Sequence, residues 1–224
     1  MRRFLSENSL GLFFGALFLA ALAGQAIAGH ISYNEEQLLH GGTAISLGRY
    51  VTSSQFGQAV MENWQSEYLQ FLIFLMATIW LLQKGSPESK HLDEAGRESD
   101  EEQMTGSHAK AKSPLWARMG GWRAGLYGNS LMIVMGLIFL GSWLAQSLTG
   151  WNAYNQELTD HHEATISWLA YLGNADFWQT TLQNWQSEFL AVGSFAVFAV
   201  YLRQRGSPES KPVGAAHTDT GLES

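Results

Sequence analysis

The sequence predicts an all-α membrane protein with four transmembrane helices, made of two parallel two-helix repeats with short amphipathic helices in the outer loops. Three observations predict it. The 224-residue chain matches itself without a gap at a shift of about 121 residues. Each copy carries two apolar runs of bilayer-spanning or nearly bilayer-spanning length. Of the 13 Lys and Arg residues, all but Arg49 fall in segments that two crossings per copy put on one side of the membrane.

The repeat rests on whole strings. Asn8-Ser9-Leu10 returns as Asn129-Ser130-Leu131, and Tyr33-Asn34 as Tyr154-Asn155. Asn63-Trp64-Gln65-Ser66-Glu67 returns as Asn184-Trp185-Gln186-Ser187-Glu188, and Gly85-Ser86-Pro87-Glu88-Ser89-Lys90 as Gly206-Ser207-Pro208-Glu209-Ser210-Lys211. Gly15, Gln25, Glu36, His40, Tyr50 and Phe56 meet Gly136, Gln146, Glu157, His161, Tyr171 and Phe177. About 32 of roughly 83 aligned positions are identical, far beyond chance for a gap-free register.

The first apolar run, Leu10–Ala28, and its copy, Leu131–Thr149, are each about 19 residues, enough for a hydrocarbon core of about 30 Å. The second run, Tyr68–Leu82 with Phe189–Leu202 as its copy, is short; extended back to Asn63 or Asn184 it reaches about 20 residues. Its polar string then forms the first turn. Met1-Arg2-Arg3, an apolar stretch and Ala26-Ile27-Ala28 also fit a cleaved secretory signal. A retained helix is the stronger reading, because the run exceeds an ordinary signal core and its copy sits mid-chain.

The chain then divides into repeat one at 1–90 (spans about 10–28 and 63–82), a disordered cytoplasmic linker at 91–113, an interfacial segment with repeat two at 114–211 (spans about 129–149 and 184–203), and a disordered tail at 212–224. The linker has clustered acids, Asp93-Glu94 and Asp100-Glu101-Glu102, and almost no large apolar residue. The basic residues before span one, in the linker and after span four put both termini in the cytoplasm of a bacterial inner membrane. An even number of spans per copy makes the repeats parallel, related by an axis along the membrane normal. Trp116, Arg118, Trp122 and Arg123 suit the inner interface, as an anchored stub leading into the third span. In the outer loops, apolar residues such as Leu47, Tyr50, Val51, Trp168, Tyr171 and Leu172 recur at helical spacing, with breaks at Gly41-Gly42 and Gly173-Asn174.

Zero cysteines exclude a disulfide framework, a Cys-based metal site and a Cys nucleophile. A net charge of -7 argues against general nucleic-acid binding. The mean hydropathy of -0.07 resembles that of a soluble protein only because apolar and polar runs average out.

Glu67 and Glu188 are the most informative residues. A carboxylate at the centre of a membrane helix costs about 2.5–3.5 kcal/mol on insertion scales, and less near its edge. One reading places each at the headgroups as a favourable charge on a helix N-terminus, with Trp64 and Trp185 as interface anchors. The other is a paired polar site in which Asn63, Gln65, Ser66 and Glu67 converge with Asn184, Gln186, Ser187 and Glu188 to hold a cation or proton. The apolar cores of the copies have diverged while the polar string has not, and lipid anchoring alone tolerates many polar strings. Glu36 with His40, and Glu157 with His161, share a helical face at i, i+4 and form a weak metal candidate without an evident third ligand. Gly-Ser-Pro-Glu-Ser-Lys reads as a helix stop with Gly at C′, or as a cytoplasmic contact point shared by both halves. No phosphate loop, nucleophile elbow or zincin helix is present.

The order Asn-Ser-Leu, Tyr-Asn-Glu-Glu-Gln, His, Asn-Trp-Gln-Ser-Glu-(Tyr/Phe)-Leu and Gln-(Lys/Arg)-Gly-Ser-Pro-Glu-Ser-Lys resembles an uncharacterised family of small bacterial multi-pass integral membrane proteins, a domain of unknown function. The resemblance covers both repeats. It implies a bacterial multi-pass protein and no activity, so it carries over no catalytic residue. The expected function is a non-enzymatic small permease, channel-like or accessory module for a cation or protons, since the outer segments carry about nine acids against Arg49. The alternatives are a structural or partner-binding envelope protein and, last, a metal-dependent membrane enzyme. No cofactor is expected. The bilayer is the principal partner; the linker and tail offer a protein contact, and Gly11-x-x-x-Gly15 a self-association motif.

Overall fold

The structure, a computed structural model, describes residues 2–221. Among the described residues it is all-α, with no strand. The chain runs through α1 (Arg2–Glu7), α2 (Ser9–Leu39), α3 (Leu47–Val51), α4 (Ser54–Ala77), a 3-10 turn at Gly106–His108, α5 (Leu115–Met119), α6 (Gly121–Gly128), α7 (Ser130–Asp160), α8 (Trp168–Leu172) and α9 (Ala175–Tyr201).

Among the described residues two helices, α2 and α7, are long and apolar enough to cross a membrane, where the sequence predicts four. The physical reason lies in α4 and α9. Asn63, Gln65 and Glu67, or Asn184 and Glu188, take up the first turns of each expected span, and both helices begin further upstream in polar sequence that includes Glu62, or Asp176 and Gln183. In addition, α4 stops at Ala77, short of the expected end near residue 82. By contrast residues 10–24 of α2 are apolar on all sides, its Asn34, Glu35, Glu36 and Gln37 falling in the last turns, and the helix buries none of its residues within the protein.

Contacts divide the chain into two units, Met1–Met61 with Ala145–Leu172, and Glu62–Leu144 with Gly173–Ser224. In the first unit each long helix ends in a loop that folds back on it. Gly29 lies against the Tyr50 hydroxyl, and Gly150 against that of Tyr171, with no room for a Cβ at either. Asn34 accepts from Ile45 N (2.8 Å) and donates to Ile45 O (3.0 Å); Asn155 does the same to Ile166 at 2.8 and 3.0 Å. Ring pairs match, Tyr33 with Tyr50 and Tyr154 with Tyr171, both tilted with centroids 5.6 Å apart. The helix stops match as well. Gly41, at φ 78, follows α2, and His162, at φ 61, follows α7, so a histidine occupies the left-handed cap position where the other loop has glycine.

In the second unit the Gly-Ser-Pro-Glu-Ser-Lys segments are folded loops rather than helix stops, because α4 and α9 end well before Gly85 and Gly206. Ser89 Oγ accepts from Gln83 N (3.0 Å) and Ser210 Oγ from Gln204 N (2.9 Å). Each loop ends on a lysine that reaches the carbonyls beyond it. Lys90 Nζ donates to Gly96 O (2.7 Å), and Lys211 Nζ to Ala216 O, His217 O and Asp219 O (3.0–3.2 Å). The chain after Lys211 returns to the first loop, where Thr220 Oγ1 accepts from Gly85 N (2.9 Å) and Gly221 N donates to Ser86 O (3.0 Å).

Candidate functional site

The polar seam of the second unit starts from helical spacing. Glu62, Gln65, Ser66 and Leu69 recur at i, i+3, i+4 and i+7 and share one face of α4. Gln65 is 0% exposed and Ser66 1%. Burying an amide without partners costs a few kcal/mol, and Gln65 avoids this twice. Its Oε1 accepts from Trp185 Nε1 of α9 at 2.7 Å, and its Nε2 donates to Glu62 O at 3.1 Å. Ser66 Oγ donates to Asn63 O (2.9 Å) and is a hydrogen-bond neighbour of the Glu188 carboxylate. Glu188 is half-buried and lies in the field of Glu67, so the two paired glutamates of the sequence are electrostatic neighbours.

The residues of the two strings are not used alike. Gln65 and Ser66 are buried, while Gln186 and Ser187 are exposed. Trp185 turns into the seam; Trp64 is 36% exposed. Asn184 Nδ2 and Ser187 Oγ bond back to carbonyls of their own helix, Thr180 O (3.0 Å) and Asn184 O (2.8 Å). Glu67 is exposed, as is Asn63.

An aromatic wall closes the seam. Trp143 of α7 has its ring 5.6 Å from Phe139, 5.6 Å from Trp185, 6.3 Å from Phe177 and 6.1 Å from Trp178. The Trp143 indole N–H and the hydroxyl of Thr181, a residue 0% exposed, are buried and make no hydrogen bond. Buried polar atoms without partners are uncommon in folded proteins. Sequence reasoning missed three members of this site. Glu62 is half-buried in the field of Asp176; its copy is Gln183, so comparison of the repeats hid it. Thr181 and Trp143 were passed over because neither repeats, Val60 and Leu22 standing in their places.

The weak metal candidate gains nothing. Glu36, His40, Glu157 and His161 are exposed, and His40 Nδ1 is engaged with Glu36 O at 2.9 Å. Among the described residues no group of three or more His, Cys, Asp or Glu is placed to hold a metal. A second titratable pair lies in the loops beyond α4 and α9. Burial, then a hydrogen bond from Glu209 and its charge, push the Glu88 carboxyl up to about 7.

The chain belongs to the family described as domain of unknown function (DUF6766), matched over residues 1–222. No curated protein and no solved structure matches it.

Proposed function

We propose that this member of the family is a bacterial inner-membrane protein of four spans, two parallel copies of one two-helix unit, that moves or binds protons or a small cation at Glu67 and Glu188. The observation that carries the proposal is the position of Glu188, beside the hydroxyl of buried Ser66 and in the field of Glu67. Two carboxylates that face one another are relieved by a shared proton or a cation between them. Glu62 with Asp176, and the unpartnered Thr181 hydroxyl, extend polar groups along the same two helices. Low hydropathy in α4 and α9 agrees with this role, because a membrane helix that turns carboxylates and amides toward a neighbour gives up apolar residues on that face. All but one of the basic residues lie in segments this topology puts in the cytoplasm, both termini included.

The reading is tested by reconstituting the full chain in liposomes and following internal pH and radiolabelled Na⁺ or K⁺ under an imposed gradient. Flux above protein-free vesicles is expected, with Glu67→Gln/Glu188→Gln inserting normally and losing it. Wild-type vesicles as tight as empty ones to all three ions, with no calorimetric binding of Na⁺ or K⁺ and no proton uptake that Glu67→Gln/Glu188→Gln removes, would defeat the proposal and leave the partner-binding alternative.

A further inference from the structure

We infer that residues 115–128, helices α5 and α6, form a docking surface for an anionic bilayer. The inference rests on the membrane reading of α7, which follows after Asn129. In a soluble helical segment small residues face out and large apolar ones face in. Here the order is reversed: Ala117 is buried and Ala124 half-buried, while Leu115 (64%), Trp116 (43%), Met119 (50%) and Trp122 (69%) are exposed. Leu126, one turn beyond Trp122, is exposed as well. The Trp116 and Trp122 rings lie 6.4 Å apart, which puts the two helices' indoles on a common side. A contiguous apolar surface of this kind needs a cover. Indoles at the level where an apolar helix leaves the bilayer are what the headgroup region accommodates.

Charge identifies the cover. The protein carries -7 overall, yet there is no Asp or Glu between Glu102 and Glu157, and that stretch holds Lys110, Lys112, Arg118 and Arg123. The Arg123 guanidinium lies 5.1 Å over the Trp122 ring, so one cation sits on the apolar side itself. Basic residues beside an exposed aromatic face, continuous with a spanning helix, match an acidic phospholipid surface rather than a neutral one.

Because the chain has no cysteine, single Cys substitutions give unique nitroxide sites in the full-length protein. Labels at Met119→Cys and Leu126→Cys report the docking surface, Ser107→Cys the aqueous linker, and Ile138→Cys the apolar stretch of α7. In vesicles containing phosphatidylglycerol, labels at 119 and 126 should be shielded from a water-soluble nickel relaxant several-fold more than the label at 107. That shielding should weaken in pure phosphatidylcholine and in the Arg118→Gln/Arg123→Gln background. Equal relaxant access at 107, 119 and 126 beside a shielded 138 overturns the inference alone. Equal shielding in the two lipids overturns the anionic preference. A water-exposed 138 removes the membrane reading of α7 and the inference with it.

Discussion

The loop-back contacts of the first unit and the Asn-Trp-Gln-Ser-Glu strings of the second behave in opposite ways. In the first unit the geometry is the same, made mostly by identical residues and kept even where the residue differs. His30 Nε2 reaches Ile45 O at 2.6 Å, and in the other loop Trp151 Nε1 reaches Ile166 O at 2.7 Å. In the second unit identical residues meet different surroundings: Gln65 is sealed in and Gln186 faces out. A backbone amide that must be satisfied dictates its surroundings, so any side chain with a suitably placed nitrogen serves. A side chain on a helix face takes whatever environment the neighbouring helix supplies. Local identity therefore fixes the loops more firmly than it fixes the role of a polar helix residue.

The glycines that pack against Tyr50 and Tyr171 should give the greatest losses. A Cβ at Gly150 would stand 2.5 Å from the Tyr171 hydroxyl, and one at Gly29 would crowd Tyr50 likewise. Gly29→Ala and Gly150→Ala should each cost about 1–3 kcal/mol in denaturant unfolding in detergent, with Tyr50→Phe or Tyr171→Phe restoring part of the loss. Equivalent geometry predicts equivalent costs; a harmless substitution in one copy alone would break the equivalence.

The amides sharpen the contrast next. Asn34→Ala and Asn155→Ala each remove two hydrogen bonds to a peptide group and should cost similar amounts, about 1–3 kcal/mol. Gln65→Ala should cost about as much, because it strands the Trp185 indole N–H, while Gln186→Ala should stay within about 0.5 kcal/mol. Matching losses at 65 and 186 would mean the two strings share one environment after all.

The loops that carry Glu88 and Glu209 add a pH dependence. The Glu88 carboxyl is raised from 4.5 to about 7, so the folded protein holds that proton more tightly than the unfolded chain. The stability this gives is fully present below about 4.5 and is lost as pH rises through about 7. Thermal unfolding midpoints should fall between pH 5 and 8 in the wild type, and Glu88→Gln should flatten that fall. The smallest effect is at the helix stop. His162 holds φ 61 where the other copy has Gly41, so His162→Gly should stabilise by about 0.5–1 kcal/mol, read as a small rise in the same midpoint.

Much of this organisation is legible in the residues. The all-α class, α2, α7 and the breaks at Gly41 and Asn174 follow from apolar length and cap chemistry. The strings that form the loops and the polar seam are visible by self-comparison. What stays hidden is the side of a helix that finds a partner. Glu62, Thr181 and Trp143 take their roles from residues distant in sequence, and none of them repeats. The loop-forming use of Ser89 and Ser210 also escapes a reading that starts from helix capping, because Pro87 and Pro208 suit a helix start and the deciding bonds run back to Gln83 and Gln204.

If Glu67 and Glu188 face each other in the working protein, thiols placed at 67 and 188 should cross-link in the native membrane. The cysteine-free chain allows Glu67→Cys/Glu188→Cys to be probed with the shortest bis-maleimide, a protease site near Gly106 revealing whether the halves of one chain are joined. Gln55→Cys/Gln156→Cys, whose native amides meet at 3.0 Å, is the positive control. Halves that stay joined through positions 67 and 188 after cleavage are the predicted result. Halves that separate, while the control pair remains linked, would contradict the paired site.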